Sequence, residues 1–447
     1  MMKLAVCLLA ASVCGNAAAL HVPIERYTLP NGLRVVLSQD NTAPVVAVYL
    51  IYGVGARSEQ KGRSGFAHLF EHMMFEGSQN VPKGELDRLV EGNGGNMNGS
   101  THPDFTDYFE VLPSNKLAMA LWLESDRMRA LNITEENLAN QKEAVKQERR
   151  LSFDNRPYAT AVVDQWPQLA FRNWSNSHSL IGSFEDLNAA TVEDVRQFFK
   201  THYAPNNAVL CIAGDFQTAA AKKTIADYFA AIPSQPQPEP PDLAEPGTPQ
   251  SRSETVKDAL AQVPALVVGW PGPRRRSPDF YALEMLDVVL TGGDSSRFQQ
   301  DLVKGKQSIV SYEASLGWPF AETNDYVAPG MYAIQVLYKP NFTGDQILGQ
   351  IAEEIGRIKK EGVPPAELDR ARTFYRAARY NALQSTLGLA RTLGQYELFD
   401  HDPNLINTEM DRYLAVTPEQ IKAVANQYME PDRRIVLNIV PSKREGK

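Results

Sequence analysis

Two stretches of the chain, 226 residues apart, share one local pattern, and that repetition constrains the fold more than any other feature. Thr191-Val192-Glu193-Asp194-Val195 and Thr417-Pro418-Glu419-Gln420-Ile421 each read as a helix start, with Thr at the N-cap and an acid in the first turn. Fourteen residues after each Thr comes a proline, Pro205 or Pro431, and an apolar strand follows each, 209–212 and 435–439. Between the two copies, residues 233–250 hold seven prolines among Gln, Glu and Ser, which is the composition of an extended, semi-rigid linker. The expected architecture is α+β: two homologous domains, 20–232 and 251–447, joined by that Pro-rich linker. Each would be a mainly antiparallel sheet with helices packed on it.

Residues 1–19 read as a targeting segment rather than as part of the fold. Lys3 gives a short positive start, Leu4 to Val13 an apolar core, and Ala17-Ala18-Ala19 a small-residue cleavage site, so Leu20 is the expected mature start. The chain is therefore expected to be exported, periplasmic in a two-membrane bacterium and secreted otherwise. Cys7 and Cys14 fall in the leader, which leaves only Cys211, in an apolar run that reads as core. No internal disulfide is then possible, and stability must come from burial. Lys plus Arg is 45 against 53 for Asp plus Glu, a formal charge of −8, which argues against nucleic-acid binding by charge neutralisation. No apolar run approaches the ~18 residues of a membrane span.

Within the first half, Tyr27 to Leu37 reads as a hairpin around Pro30-Asn31-Gly32, and Val45 to Tyr52 as a buried strand. Helical periodicity covers 64–76, 84–92, 114–130, 134–151 and 191–201, with strands at 106–112 and 208–213.

The chemistry concentrates in His68-Leu69-Phe70-Glu71-His72. Ser64 is the expected N-cap and Gly77 the expected stop, making 65–76 one helix. His68 and His72, four apart, share a face, while Phe66, Leu69, Phe70 and Met73 cover the other side. Two imidazoles one turn apart can share one Zn2+, and Glu71 beside them is placed to act as a proton acceptor. Two satisfied core histidines are the rival reading, but Glu71 would then be an unpaired acid beside them. A catalytic zinc needs a third protein ligand and an open position. Glu148 fits, since Leu138, Gln141, Val145 and Glu148 fall on one helical face. Spacing alone leaves it equally readable as a solvated carboxylate in the polar run 146–150. Glu143 points elsewhere on the wheel and is the weaker candidate.

His68-Leu69-Phe70-Glu71-His72 with Glu148 seventy-six residues on resembles the pitrilysin, or insulinase, family of inverted-motif zinc peptidases. That family includes the mitochondrial processing peptidase. Leu29-Pro30-Asn31-Gly32-Leu33, Gly94-Gly95-Asn96-Met97-Asn98, Asn206-Asn207, Gly214-Asp215 and Ser295-Ser296-Arg297 extend the resemblance over nearly the whole mature chain. It implies one Zn2+ per chain held by His68, His72 and Glu148, with Glu71 as general base. Asn98, Gly99, Ser100 and Thr101 match the edge strand on which a substrate peptide is laid as an added strand. Gly94, Gly95 and Gly99 fit close backbone approach, although a plain turn at 94–95 is equally compatible.

Two positions depart from the family. A second Glu is common seven residues before the ligand Glu, and here it is Gln141, which can hydrogen-bond near the site but is no carboxylate. An Arg and a Tyr, seven apart, that hold substrate in a complete active unit are replaced by Val303 and Val310. The length resembles half-size bacterial members, whose active form pairs two such units. The resemblance thus implies a zinc endopeptidase of unfolded peptides whose companion, a similar chain, supplies the Arg and Tyr, with a homodimer as the alternative. A non-catalytic assembly subunit and a zinc hydrolase of non-peptide amides are the rival functions.

Overall fold

The computed structural model describes residues 21–442 other than Trp318, Phe320, Glu322, Asn324, Ala328 and Pro329. The expected leader, 1–19, with Cys7 and Cys14, lies outside the described residues.

Eleven strands form two sheets among the described residues. The first contains β1 (Glu25–Thr28), β2 (Arg34–Gln39), β3 (Val45–Tyr52), β4 (Asn96–Thr101), β5 (Thr106–Pro113) and β6 (Ala208–Gly214), in the order β1-β2-β6-β3-β5-β4. The second contains β7 (Arg252–Asp258), β8 (Ala265–Pro271), β9 (Ile309–Leu316), β10 (Met331–Tyr338) and β11 (Ile435–Pro441), in the order β7-β11-β8-β10-β9. Each sheet is antiparallel apart from one pair, β2 with β6 and β7 with β11. Leaving out β1, the second order repeats the first strand for strand. The two repeated helix starts precede β6 and β11, and in both the expected Thr accepts from the backbone N–H three residues on, at Asp194 and Gln420.

The apolar run of β3 reflects burial on both faces. Val46, Val48, Leu50 and Tyr52 enter the core beneath the helices Phe66–Met73, Leu117–Arg129 and Glu135–Arg149. Ala47, Tyr49 and Ile51 point the other way, onto Ala390 and Leu393 of the helix Thr386–Asp400. That helix comes from the second half of the chain. The exchange is reciprocal: Ala161, Val162, Trp166 and Ala170 of the first half cover Ala265, Val267 and Leu437 of the second sheet. The Pro-rich segment therefore separates the two sheets in sequence, while the layers between them are shared.

Residues 233–250 form no helix or strand, as their composition predicts, and they are pinned to the body. Asn206 exchanges two hydrogen bonds with the Gln235 backbone (2.8 and 3.1 Å), and Asn173 and Asn176 donate to the carbonyls of Asp242 and Leu243. Cys211 lies in β6, fully buried and unbonded, as expected.

Candidate metal centre

The histidine-bearing helix is shorter than its sequence predicts, Phe66–Met73, and is capped differently. Gly65 occupies the N-cap with φ +81°, a left-handed conformation costly for any other residue. Ser64 is not the cap; its backbone N–H and hydroxyl both bond the Asp186 carboxylate. The open N–H groups of the first turn are met instead by Glu59, which accepts from Gly65 at 2.9 Å and Ala67 at 2.7 Å. A carboxylate at a helix N-terminus also complements the macrodipole. Glu59 is buried and is held in turn by His178 Nε2 at 2.9 Å, whose ring stacks on Trp174 with centroids 3.9 Å apart. Burial alone would depress His178, but Glu59 more than reverses it and raises its pKa.

With Phe66, Leu69, Phe70 and Met73 sunk into the core, the helix presents His68 and His72 on its other side. The Glu148 helix, Glu135–Arg149, starts at the Thr134 cap and buries Leu138 and Val145, the periodicity its sequence predicts. Glu148 Oε2 lies 3.5 Å from His68 Nε2 and 3.2 Å from His72 Nε2. Glu143 is exposed and pairs with Lys146, away from this cluster.

The three side chains fit a zinc ion. One ligand atom from each lies within 4.8 Å of the others. Four-coordinate zinc with bonds of about 2.0–2.1 Å has ligand–ligand edges of roughly 3.3 Å, close to the two observed contacts. Burial pushes His68 down to about 4, leaving the neutral imidazole that ligates a metal. The hydrogen bond from His72, with a smaller favourable influence of both imidazoles, holds the Glu148 carboxyl below its usual range. Burial would also lower His72, yet its hydrogen bond to Glu148 and the Glu71 and Glu148 carboxylates raise it. Among the described residues no other group of three His, Cys, Asp or Glu side chains is so arranged.

Glu71 sits at the margin of this cluster and accepts a hydrogen bond at Oε2 from Thr101 Oγ1 at 2.6 Å. Burial pushes the Glu71 carboxyl up to about 7, against the opposing pull of Thr101 and His72. Thr101 ends β4, the exposed edge of the first sheet. Gly99 lets that strand close on the helix, because a Cβ there would lie 3.1 Å from Glu71 Cγ. Asn98 is exposed on the edge, with Oδ1 accepting from Gly99 N–H at 2.9 Å. The Ser100 hydroxyl is committed to Asp107. Gly95 packs tightly on Leu112, whereas Gly94 only turns the chain, with φ +78° and open space where a Cβ would be.

Gln141 Oε1 lies 3.2 Å from His72 Nδ1, on the side away from Glu148. In the second half, Val303 packs against the second core and Val310 is 53% exposed on β9. Arg297 is engaged by Glu367, with both contacts 2.8 Å.

The family model described as Insulinase (Peptidase family M16) matches residues 34–183, and that described as Peptidase M16 inactive domain matches 189–375. The chain is 26% identical over 429 residues to the zinc protease PqqE of Helicobacter pylori, covering 93% of each. To a probable mitochondrial-processing peptidase subunit beta of Arabidopsis thaliana it is 23% identical, covering 94% of this chain and 79% of that one. The crystal structure of a protease from Helicobacter pylori is similar with a TM-score of 0.88 at 25% identity, over 94% of this chain and 100% of that one.

Proposed function

The chain belongs to the M16 peptidase family, and from that premise we propose that it is an exported zinc endopeptidase of unfolded peptides, the zinc-bearing subunit of a two-chain enzyme. The observation that carries the reading is the position of Glu71, beside the His68–His72–Glu148 cluster and tied through Thr101 to an open sheet edge.

His68, His72 and Glu148 would hold the zinc, which when bound supplies a Lewis acid for the scissile carbonyl and lowers the pKa of water. Glu71 receives the proton of the attacking water and passes it to the leaving amine nitrogen. Thr101 occupies Oε2, so Oε1 is the oxygen available for that traffic. The β4 edge pairs with substrate backbone, which favours extended peptides over non-peptide amides and demands little of their sequence. The intact cluster weighs against a purely structural subunit.

Two features support the finer points. The leader-like residues 1–19 support export. Val303 and Val310 offer no hydrogen-bond donor where the resemblance implies Arg and Tyr, so a companion of the same family would supply them. A homodimer is the alternative arrangement. The test is to purify the mature chain, measure its zinc content, and assay cleavage of quenched unstructured peptides with and without chelator. The assay is run on the chain alone and with a co-expressed companion. Chelator-sensitive cleavage that rises with the companion supports the proposal. Cleavage unaffected by removing zinc overturns the chemistry, and full activity of the pure chain without a companion overturns the heterodimer.

A further inference from the structure

The side chain behind His72 is an amide, and an amide has two ends that differ in chemistry but hardly in shape. Which end faces His72 decides where the imidazole carries its hydrogen. Gln141 is not free to choose. Its Nε2 lies 2.6 Å from Glu76 Oε1, and Lys83 binds the other oxygen of the same carboxylate. A carboxylate accepts hydrogen bonds and does not donate them, so the NH2 of Gln141 must face Glu76. Its carbonyl then faces His72 at 3.2 Å, and because a carbonyl only accepts, His72 must carry its hydrogen on Nδ1. Nε2, which meets Glu148 Oε2 at 3.2 Å, is then the nitrogen that can give up its proton and turn a lone pair to the point shared with His68 and Glu148.

We propose that Glu76 is a positioning residue that acts through Gln141 to fix the His72 tautomer for metal binding, and that Glu76 is the reason position 141 carries an amide rather than a carboxylate. This rests on the reading of His68, His72 and Glu148 as the zinc ligands. Glu76 is suited to the task. It lies just past the end of the histidine helix, is 5% exposed, and its own backbone carbonyl accepts from Asn137 on the Glu148 helix at 3.2 Å. A glutamate at 141 would set two carboxylates against each other, a like-charge contact. The control is asymmetric: His68 Nδ1 is buried with no hydrogen-bond partner among the described residues, so His68 relies on packing while His72 is held by hydrogen bonding.

The experiment compares wild type, Glu76→Gln, Gln141→Glu and the swapped double variant. Zinc affinity is read by chelator competition, the His72 Nδ1–H by 15N NMR of the zinc-loaded protein, and folding by the unfolding midpoint. Glu76→Gln is expected to bind zinc about tenfold more weakly, the low end of the usual cost of losing a partner behind a ligand, and Gln141→Glu about as much, because the like charge of Glu76 pushes the new carboxylate away from His72. The swap restores affinity to within about threefold, because Glu at 141 accepts from His72 and Gln at 76 donates to it. Wild-type zinc affinity in both single variants, or a double variant as weak as the product of the two, overturns the proposal. A merely structural role for Glu76 would move the unfolding midpoint without changing the His72 ring signature or giving rescue. Should Gln141→Glu fail to fold, Glu76→Gln decides alone, and an unchanged Nδ1–H signature there overturns the proposal. Wild-type protein that binds no zinc, or binds it undiminished after His68→Ala, defeats the ligand assignment itself and is recognised separately.

Discussion

Thr101 donates its hydroxyl to Glu71 Oε2 at 2.6 Å, so the last residue of the edge strand and the acid on the histidine helix are held as one unit. Valine at 101 keeps the shape and the β preference but removes the donor. A hydrogen bond to a charged group is worth about 1.5–3 kcal/mol, which as rate is roughly ten- to a hundredfold. Thr101→Val is therefore expected to lose about that much kcat with zinc content unchanged, while Thr101→Ser keeps most of it. Steady-state kinetics on metal-quantified protein checks this, and equal kcat in both variants would contradict it.

Trp166 is 1% exposed and seated on the second sheet, where a Cβ on Gly269 would lie 2.8 Å from its ring. It belongs to the first half of the chain and covers the second. Trp166→Ala is expected to cost about 3–5 kcal/mol by cavity formation. Denaturant unfolding of the whole chain should show this as a lower midpoint, and a change below about 1 kcal/mol would mean the exchanged layer carries little of the stability.

Glu284 is buried beneath the second sheet, where desolvation, reinforced by Asp287, pushes it up to about 8, with Thr323 donating to it at 2.9 Å. In the unfolded chain its pKa returns to about 4.3. Between those values the folded protein holds a proton that the unfolded chain has released, so stability falls as pH rises through this window. The slope is about 1.4 kcal/mol per pH unit for one such group. Glu284→Gln, which keeps the shape and an acceptor for Thr323, should remove that slope and be more stable than wild type near pH 8. Melting temperatures of the two proteins from pH 5 to 8.5 test this, and parallel profiles would contradict it.

What could be read from the sequence was what is local. Thr191 and Thr417 cap their helices because each satisfies an N–H three residues away. The inward face of the Glu148 helix was legible because Leu138 and Val145 recur with its period. The histidine helix was misjudged at its start because its capping carboxylate comes from Glu59, upstream of the helix, and is held by His178, far along the chain. Spacing suggested Glu148 but could not bring it to the histidines, and the resemblance had to supply that. Thr101 and Glu76 carry no local signature, since their roles exist only where a strand edge and a neighbouring helix meet the site. The exchange of helices between the two halves joins residues more than a hundred apart, beyond any pattern of periodicity.

The central claim is that Glu71 is the proton acceptor of a zinc peptidase and not one of its ligands. One protein tests it: Glu71→Gln, with zinc content and peptide cleavage measured on the same sample, beside wild type and Glu148→Gln. The amide keeps the shape and the Thr101 contact but is a very weak proton acceptor. Zinc is expected at about one ion per chain, as in wild type, with cleavage reduced by several orders of magnitude. Glu148→Gln should instead lose zinc. Near-normal cleavage by Glu71→Gln, or loss of its zinc with Glu148→Gln fully loaded, would contradict the account.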